Sequence, residues 1–304
     1  MVLESLAPVI ALISLGAALR RFDLAPPAFF ATADRLVYFV FFPLLLFWKI
    51  GGGGPAFAGG AAYLAAAACS VLVVFLLSTL FIGLRVGPYQ AGSFSQSCYR
   101  FNTYIGMAVA ASALGEEGVR CFGILIGFLI PLINVLAVSV LTWFGRSRSA
   151  SRRVPWMVKA LATNPLIIAC LAGIAYARTV GGFPAFLDDT FRLGAGPALP
   201  LALLSIGNAL TFDSVRTHLP LSLAAAGFKL VVLPVVGIGF LHLFGVSGLP
   251  YRVSLLFFAL PASTAIYVLS GQLNSDTELA SSAIVVSTLL SAIPLTVVLS
   301  GFSG

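Results

Sequence analysis

The sequence predicts an all-α polytopic membrane protein: ten transmembrane helices, built as two inverted five-helix repeats, with helices four and nine broken and crossed. Three observations carry that expectation. The chain of 304 residues is 60% hydrophobic and only 9% charged, where a soluble domain carries about 25% charged residues, so it could not cover a water-facing surface. At about 20 residues per span, the length holds roughly ten spans and leaves no room for a separate catalytic domain. Prolines then recur at matched spacing in the two halves.

The spans are apolar runs between short polar or Gly/Pro breaks, at 2–19, 36–50, 57–84, 93–113, 119–145, 157–177, 193–212, 219–244, 250–271 and 278–301. Glu4 precedes the first run and Arg20-Arg21 follow it, the reverse of a cleaved leader. The first run is therefore expected to be a true span with its N-terminus outside. On that topology one side holds Arg20, Arg21, Arg35, Arg85, Arg146, Arg148, Arg152, Arg153, Lys159 and Arg216. The other holds Lys49, Arg120, Arg178, Arg192 and Arg252. The excess of basic residues marks the cytoplasmic face and puts both termini outside. The net charge of +7 is thus an orientation signal, and no nucleic acid is needed to explain it. Trp48, Trp143 and Trp156 fall at span ends, as interfacial aromatics do.

The proline pattern gives the repeat. Pro8 in span one answers to Pro165 in span six, and Pro43 in span two to Pro200 in span seven; each copy has the same separation between its two prolines. Pro131 in span five and Pro294 in span ten hold comparable places. An odd number of spans per half forces the second copy upside down, a transporter architecture with substrate near the midplane among discontinuous helices. Residues 1–145 form the first repeat, 146–156 a basic cytoplasmic linker beside anionic headgroups, and 157–304 the second repeat.

The expected breaks lie in spans nine and four. In span nine Pro261 removes a backbone donor and is followed by Ala262, Ser263 and Thr264, with Tyr267 and Gln272 further on. Freed backbone groups at that depth must be met by neighbours or a water-filled cavity. Span four is the most polar of the apolar runs, with Arg100, Asn102, Thr103, Tyr104 and Gly106. An arginine inside a span costs roughly 2.5–3.5 kcal/mol on insertion scales, so Arg100 either lines the pathway beside a partner or snorkels to the inner headgroups. Asn102 can both cap a helix break and contact substrate. Lys229 in span eight is either a pathway residue or a packing partner, while Asn164 and Asn208 hold helices together. The candidate substrate-binding set is Arg100, Asn102, Thr103, Tyr104, Gly106, Lys229, Pro261, Ser263, Thr264, Tyr267 and Gln272.

Other classes fit poorly. The four cysteines lie in apolar runs at no metal spacing, and with two histidines neither a metal nor another cofactor is expected. There is no buried Ser/His/Asp set and no pair of intramembrane carboxylates, so an enzyme is not expected. No span shows the repeated polar stripe of a channel.

Taken together, these motifs resemble the auxin efflux carrier family in its bacterial, PIN-like form. The likeness covers essentially the whole chain. It rests on Phe42-Pro43-Leu-Leu-Leu-Phe47, on Arg100-Phe-Asn102 with Tyr-Ile-Gly106, and on Asn164-Pro165-Leu. It continues through Ser205-Ile-Gly207, Lys229-Leu-Val-Val-Leu-Pro234, Leu260-Pro261-Ala, and Leu-Asn-Ser-Asp276. The resemblance implies ten helices with both termini outside, a substrate anion beside the crossing of spans four and nine, and elevator-type alternating access. Spans one, two, six and seven would form a scaffold, and three to five with eight to ten a mobile unit. It also implies a bacterial inner-membrane seat, a small carboxylate such as malate or malonate as substrate, and a second copy of the chain against the scaffold. The chain departs from the family pattern twice. Its central loop is short, and the usual span-four Gly-x-Pro is here Gly106-Met-Ala108. Span four is therefore expected to open over fewer residues than span nine, with Gly106 at the crossing. The alternative is a sodium-coupled symporter of the related bile-acid type, which would need oxygen ligands near the crossing. The ten acidic residues fall at span ends or in loops.

Overall fold

The computed structural model describes residues 2–52, 60–144, 159, 162–209 and 215–302. Among these the regular structure is helical throughout. The linker 146–156, with Trp156, lies outside the described residues. The first helices are α1 (Val2–Arg21), α2 (Pro27–Leu36), α3 (Phe42–Gly51), α4 (Gly60–Arg85), α5 (Pro88–Tyr99) and α6 (Thr103–Phe144). Then come α7 (Pro165–Thr179), α8 (Ala185–Ala195), α9 (Ala198–Ala209), α10 (Val215–Gly227) and α11 (Leu233–Leu243). The last are α12 (Gly248–Ala259), α13 (Ala265–Gln272), α14 (Thr277–Leu290) and α15 (Ala292–Ser300).

Five helical stretches are long and apolar enough to cross a membrane: Ala28–Gly51, Gly60–Arg85, Pro88–Leu141, Val215–Leu243 and Thr277–Ser300, with shorter apolar helices at Pro165–Thr179 and Gly248–Ala259. This is the pattern of an integral membrane protein. At 1.5 Å per residue, the 42 residues of α6 would run about twice the roughly 30 Å of a bilayer core. The helix therefore turns at Gly115, whose φ of 66° and ψ of −161° suit a residue without a side chain.

Prolines act locally in three ways. Pro165 opens α7, where the Asn164 side chain accepts from the N–H groups of Leu166 and Ile167 at 2.9 and 3.3 Å; Asn164 is thus a helix cap, not a tie between helices. Pro43 and Pro234 each follow a π-helical turn, Val37–Phe41 and Phe228–Val232. The missing proline N–H leaves the α ladder short of a bond there, and a wide turn takes up the extra residue. Pro294 accompanies an interruption at Ser291 between α14 and α15, whereas Pro131 is carried inside α6.

The chain divides into two compact units. One gathers Met1–Gly60, Tyr104–Phe128 and Ala162–Ala209. Within it α1 packs along α9 and α3 along α7. The first contact is backbone on backbone: a Cβ on Gly16 would lie 2.0 Å from the Leu204 carbonyl oxygen, and one on Gly207 1.9 Å from that of Ile13. Two glycines thus let α1 and α9 approach as small residues do in lipid, where van der Waals packing replaces the hydrophobic drive. In the α3–α7 contact Gly173 faces Ile50 and the Phe47 carbonyl. Phe47 also joins Tyr176, Phe183 and Phe191 in an aromatic cluster, and the Trp48 indole N–H donates to Asp188 at 2.6 Å.

The other unit gathers Ala61–Thr103, Leu129–Leu161 and Leu210–Gly304. Here α10 lies along α14, joined by the buried Ser222 and Ser282 hydroxyls at 2.7 Å. On α11, Gly237 leaves room for the Phe258 ring, which a Cβ there would meet at 2.3 Å.

Candidate functional site

Two helix breaks meet in the second unit. α12 ends at Ala259, where Pro261 disfavours helical backbone at the residue before it; Leu260 is extended, with φ −67° and ψ 146°. Residues 260–264 are non-helical before α13 begins. In span four α5 ends at Tyr99, Arg100 is extended with φ −73° and ψ 136°, and α6 begins at Thr103 after the three non-helical residues 100–102. The proline-bearing break is the longer one. No proline stands in the shorter break, and its backbone is fastened from outside: the Asn102 N–H donates to the Pro261 carbonyl at 2.9 Å.

The groups freed in span nine find new partners. Ala262 N–H donates to the Ser287 hydroxyl on α14 at 3.1 Å, and Ala265 N–H to the Ser263 hydroxyl at 3.3 Å. Ile266 and Tyr267 N–H groups turn back to the carbonyls of Ser263 and Thr264. The first turn of α13 is therefore satisfied by the loop that precedes it, as buried backbone groups in a membrane must be.

Arg100 is half-buried and its guanidinium is held by two amide oxygens. Nη1 donates to Gln96 Oε1 at 3.1 Å and Nη2 to Asn134 Oδ1 at 2.9 Å. These two amide oxygens orient the guanidinium. Lys229, in the π turn Phe228–Val232, is fully buried. Its ammonium donates to the Phe258 carbonyl at 3.2 Å and stands 5.7 Å from the centre of the Phe257 ring, which in turn meets Phe101 edge-on at 4.7 Å.

Asn102, Pro261 and Ser263 are thus brought together by the two breaks, with Asn102 and Pro261 buried and Ser263 and Thr264 half-buried. Thr103 opens α6. Lys229 contacts the end of α12, and Tyr267 is exposed on α13. Gln272 closes α13, and its side chain lies outside the described residues. Tyr104 belongs to the first unit, where its ring stands edge-on to Phe42 at 4.9 Å. Gly106 lies buried inside α6 in the first unit, and the backbone contact between the two breaks is made by Asn102 and Pro261.

Three residues with a direct part in this geometry escaped sequence reasoning: Gln96, Asn134 and Ser287. Gln96 lies one helical turn before Arg100, a spacing that places two side chains on one face. Asn134 is the amide in span five, three residues after Pro131. Nothing in the sequence separates Ser287 from the other serines of span ten. Among the described residues no group of three His, Cys, Asp or Glu side chains could hold a metal ion.

The family described as membrane transport protein matches residues 121–299. An uncharacterized transporter of Methanothermobacter thermautotrophicus is 28% identical over 196 residues, covering 63% of this chain and 61% of the relative. An uncharacterized transporter of Methanocaldococcus jannaschii is 23% identical over 233 residues, or 72% and 74% of the two chains.

Proposed function

The chain belongs to the membrane transport protein family, that of the auxin efflux carriers, and on that premise we propose that it is a secondary carrier of small organic anions. Substrate binds where the breaks of spans four and nine meet, and access alternates by an elevator-type movement. The observation that carries this reading is the pair of helix breaks joined by the Asn102–Pro261 bond. Broken helices at depth in a transporter present helix ends and unwound backbone to substrate, and the N-terminus of a helix favours an anion. Asn102, Thr103, Ser263 and Thr264 are the side chains at those ends, and Arg100 supplies a positive charge oriented by Gln96 and Asn134. Lys229 places its amine behind the span-nine break. Tyr267 and Gln272 belong to the wider set.

Two further features support the architecture of ten spans as inverted repeats. If span one answers to span six and span two to span seven, then the packing of α1 on α9 and of α3 on α7 is one contact occurring twice. Spans one, two, six and seven fall in one unit and spans three and eight to ten in the other, while spans four and five are divided between the two; the grouping of the undivided spans suits a scaffold and a moving part. Both termini outside and an inner-membrane seat complete the proposal.

The experiment is uptake and counterflow in proteoliposomes with a panel of labelled mono- and dicarboxylates, with and without a pH or Na⁺ gradient. A saturable, trans-stimulated flux of at least one small carboxylate is expected. Flux without saturation or counterflow would mean a channel, and no flux of any carboxylate would overturn the anion assignment. Strict Na⁺ dependence would instead place the chain with the bile-acid type of symporter.

A further inference from the structure

In an unbroken helix the Ala262 N–H would donate to the carbonyl four residues back, that of Phe258. Here that single bond has been opened, and each half is taken by a different helix. The Phe258 carbonyl accepts from Lys229 at 3.2 Å, and the Ala262 N–H donates to Ser287 at 3.1 Å. Lys229 comes from span eight and Ser287 from span ten, and both side chains are buried. The third fastening is the Asn102 N–H on the Pro261 carbonyl. The break in span nine is therefore fastened by three groups of the protein itself.

The use of a lysine at this place has a physical reason. Phe258 is the penultimate residue of α12, so its carbonyl belongs to the negative end of the helix, where a cation is favoured. A buried charge is costly unless it is paired or hydrogen-bonded, and the helix end supplies that compensation. The ammonium is thereby committed to the backbone of α12.

We propose that Lys229 and Ser287 are positioning residues that hold span nine open from its two sides, and that they set the affinity of the anion site without touching the anion. The proposal rests on the carrier reading above for its transport consequences, but its structural content stands apart from them. Remove either clamp and the Ala262–Phe258 bond can re-form, drawing Ser263 and Thr264 back towards helix.

The test uses Lys229→Met, Lys229→Arg, Ser287→Ala and the double variant Lys229→Met/Ser287→Ala in the full chain. Two measurements are made: amide exchange over 258–266 in detergent, and KM and kcat for each carboxylate carried. Lys229→Met and Ser287→Ala should each slow exchange at Ala262 and raise KM at least tenfold, by the same factor for mono- and dicarboxylates, with kcat less affected. Lys229→Arg keeps a donor but brings a bulkier head into a fully buried site, so its KM should fall between those of wild type and Lys229→Met. The double variant should be no worse than the weaker single, since both halves of one bond are then released together. Exchange at 258–266 unchanged in both single variants would overturn the proposal, even if the chain carried no carboxylate at all. A Lys229→Met loss confined to dicarboxylates, with normal exchange, would also overturn it, because it would make Lys229 a substrate ligand. If the chain transports nothing in the panel but the exchange changes appear, the carrier reading has failed and the clamp has not.

Discussion

Replacing Asn134 with aspartate tests whether substrate senses the Arg100 charge. In the wild type Asn134 Oδ1 accepts from Arg100 Nη2 at 2.9 Å, and an aspartate puts a carboxylate oxygen in the same place. Opposite charges about 4 Å apart attract by about 4 kcal/mol at an effective dielectric of 20, and that attraction competes with any anion for the same guanidinium. If a third of it reaches the substrate, affinity falls about tenfold. Asn134→Leu is the companion. It keeps the volume, removes the acceptor, and leaves the guanidinium poorly aimed. Losing a hydrogen bond to a charged group costs about 1.5–3 kcal/mol, so the ceiling on its effect is roughly 10- to 150-fold in affinity. Both variants should be purified, checked for a thermal midpoint close to wild type, and compared for KM in counterflow of the best carboxylate substrate. Asn134→Asp should bind more weakly than wild type at every pH at which the new carboxylate is ionised. Wild-type KM in Asn134→Asp would refute the reasoning, because the anion would then be indifferent to a neutralised Arg100.

Arg100→Lys should keep part of the activity and Arg100→Ala little, measured by the same counterflow; equal behaviour would remove the charge from the mechanism. Asn102→Ala should stay folded and lose substrate affinity, because the bond to Pro261 is made by the main-chain N–H and survives the change; a thermal collapse in detergent would instead mark the side chain as structural. Gly207→Val should lower the thermal midpoint, since its Cβ would come within 1.9 Å of the Ile13 carbonyl oxygen and overpacking costs about 1–3 kcal/mol or more; an unchanged midpoint would show that α1 and α9 can separate freely. Single cysteines at Ser149 and Gly181, on a background without the four native cysteines, should label from opposite sides with an impermeant reagent. Protection of Gly181 in intact cells, with labelling of Ser149, would reverse the proposed topology.

The breaks were partly legible in the sequence, for reasons that differ between the two. At Pro261 the cause is local: no N–H to donate, and a preceding residue pushed into extended backbone. Pro261 marks where span nine breaks. Span four carries no such residue. Its polar run announced an irregular segment, but the opening at 100–102 depends on the Pro261 carbonyl offering an acceptor to Asn102. Asn164 was misread for a related cause: an amide before a proline can tie helices or cap one, and only the positions of Leu166 and Ile167 N–H decide between them.

Composition and proline chemistry act through the chain's immediate neighbours, so the sequence by itself determined that this is a helical membrane protein, where span nine breaks, and which family it belongs to. The tertiary structure alone decided which groups meet. Arg100 finds Asn134 34 residues away, Lys229 finds Phe258 29 residues away, and Gly16 faces Leu204 across two helices. Such partners are chosen by which helix faces pack together. In a sequence where nearly every face is apolar, periodicity cannot mark one face from another.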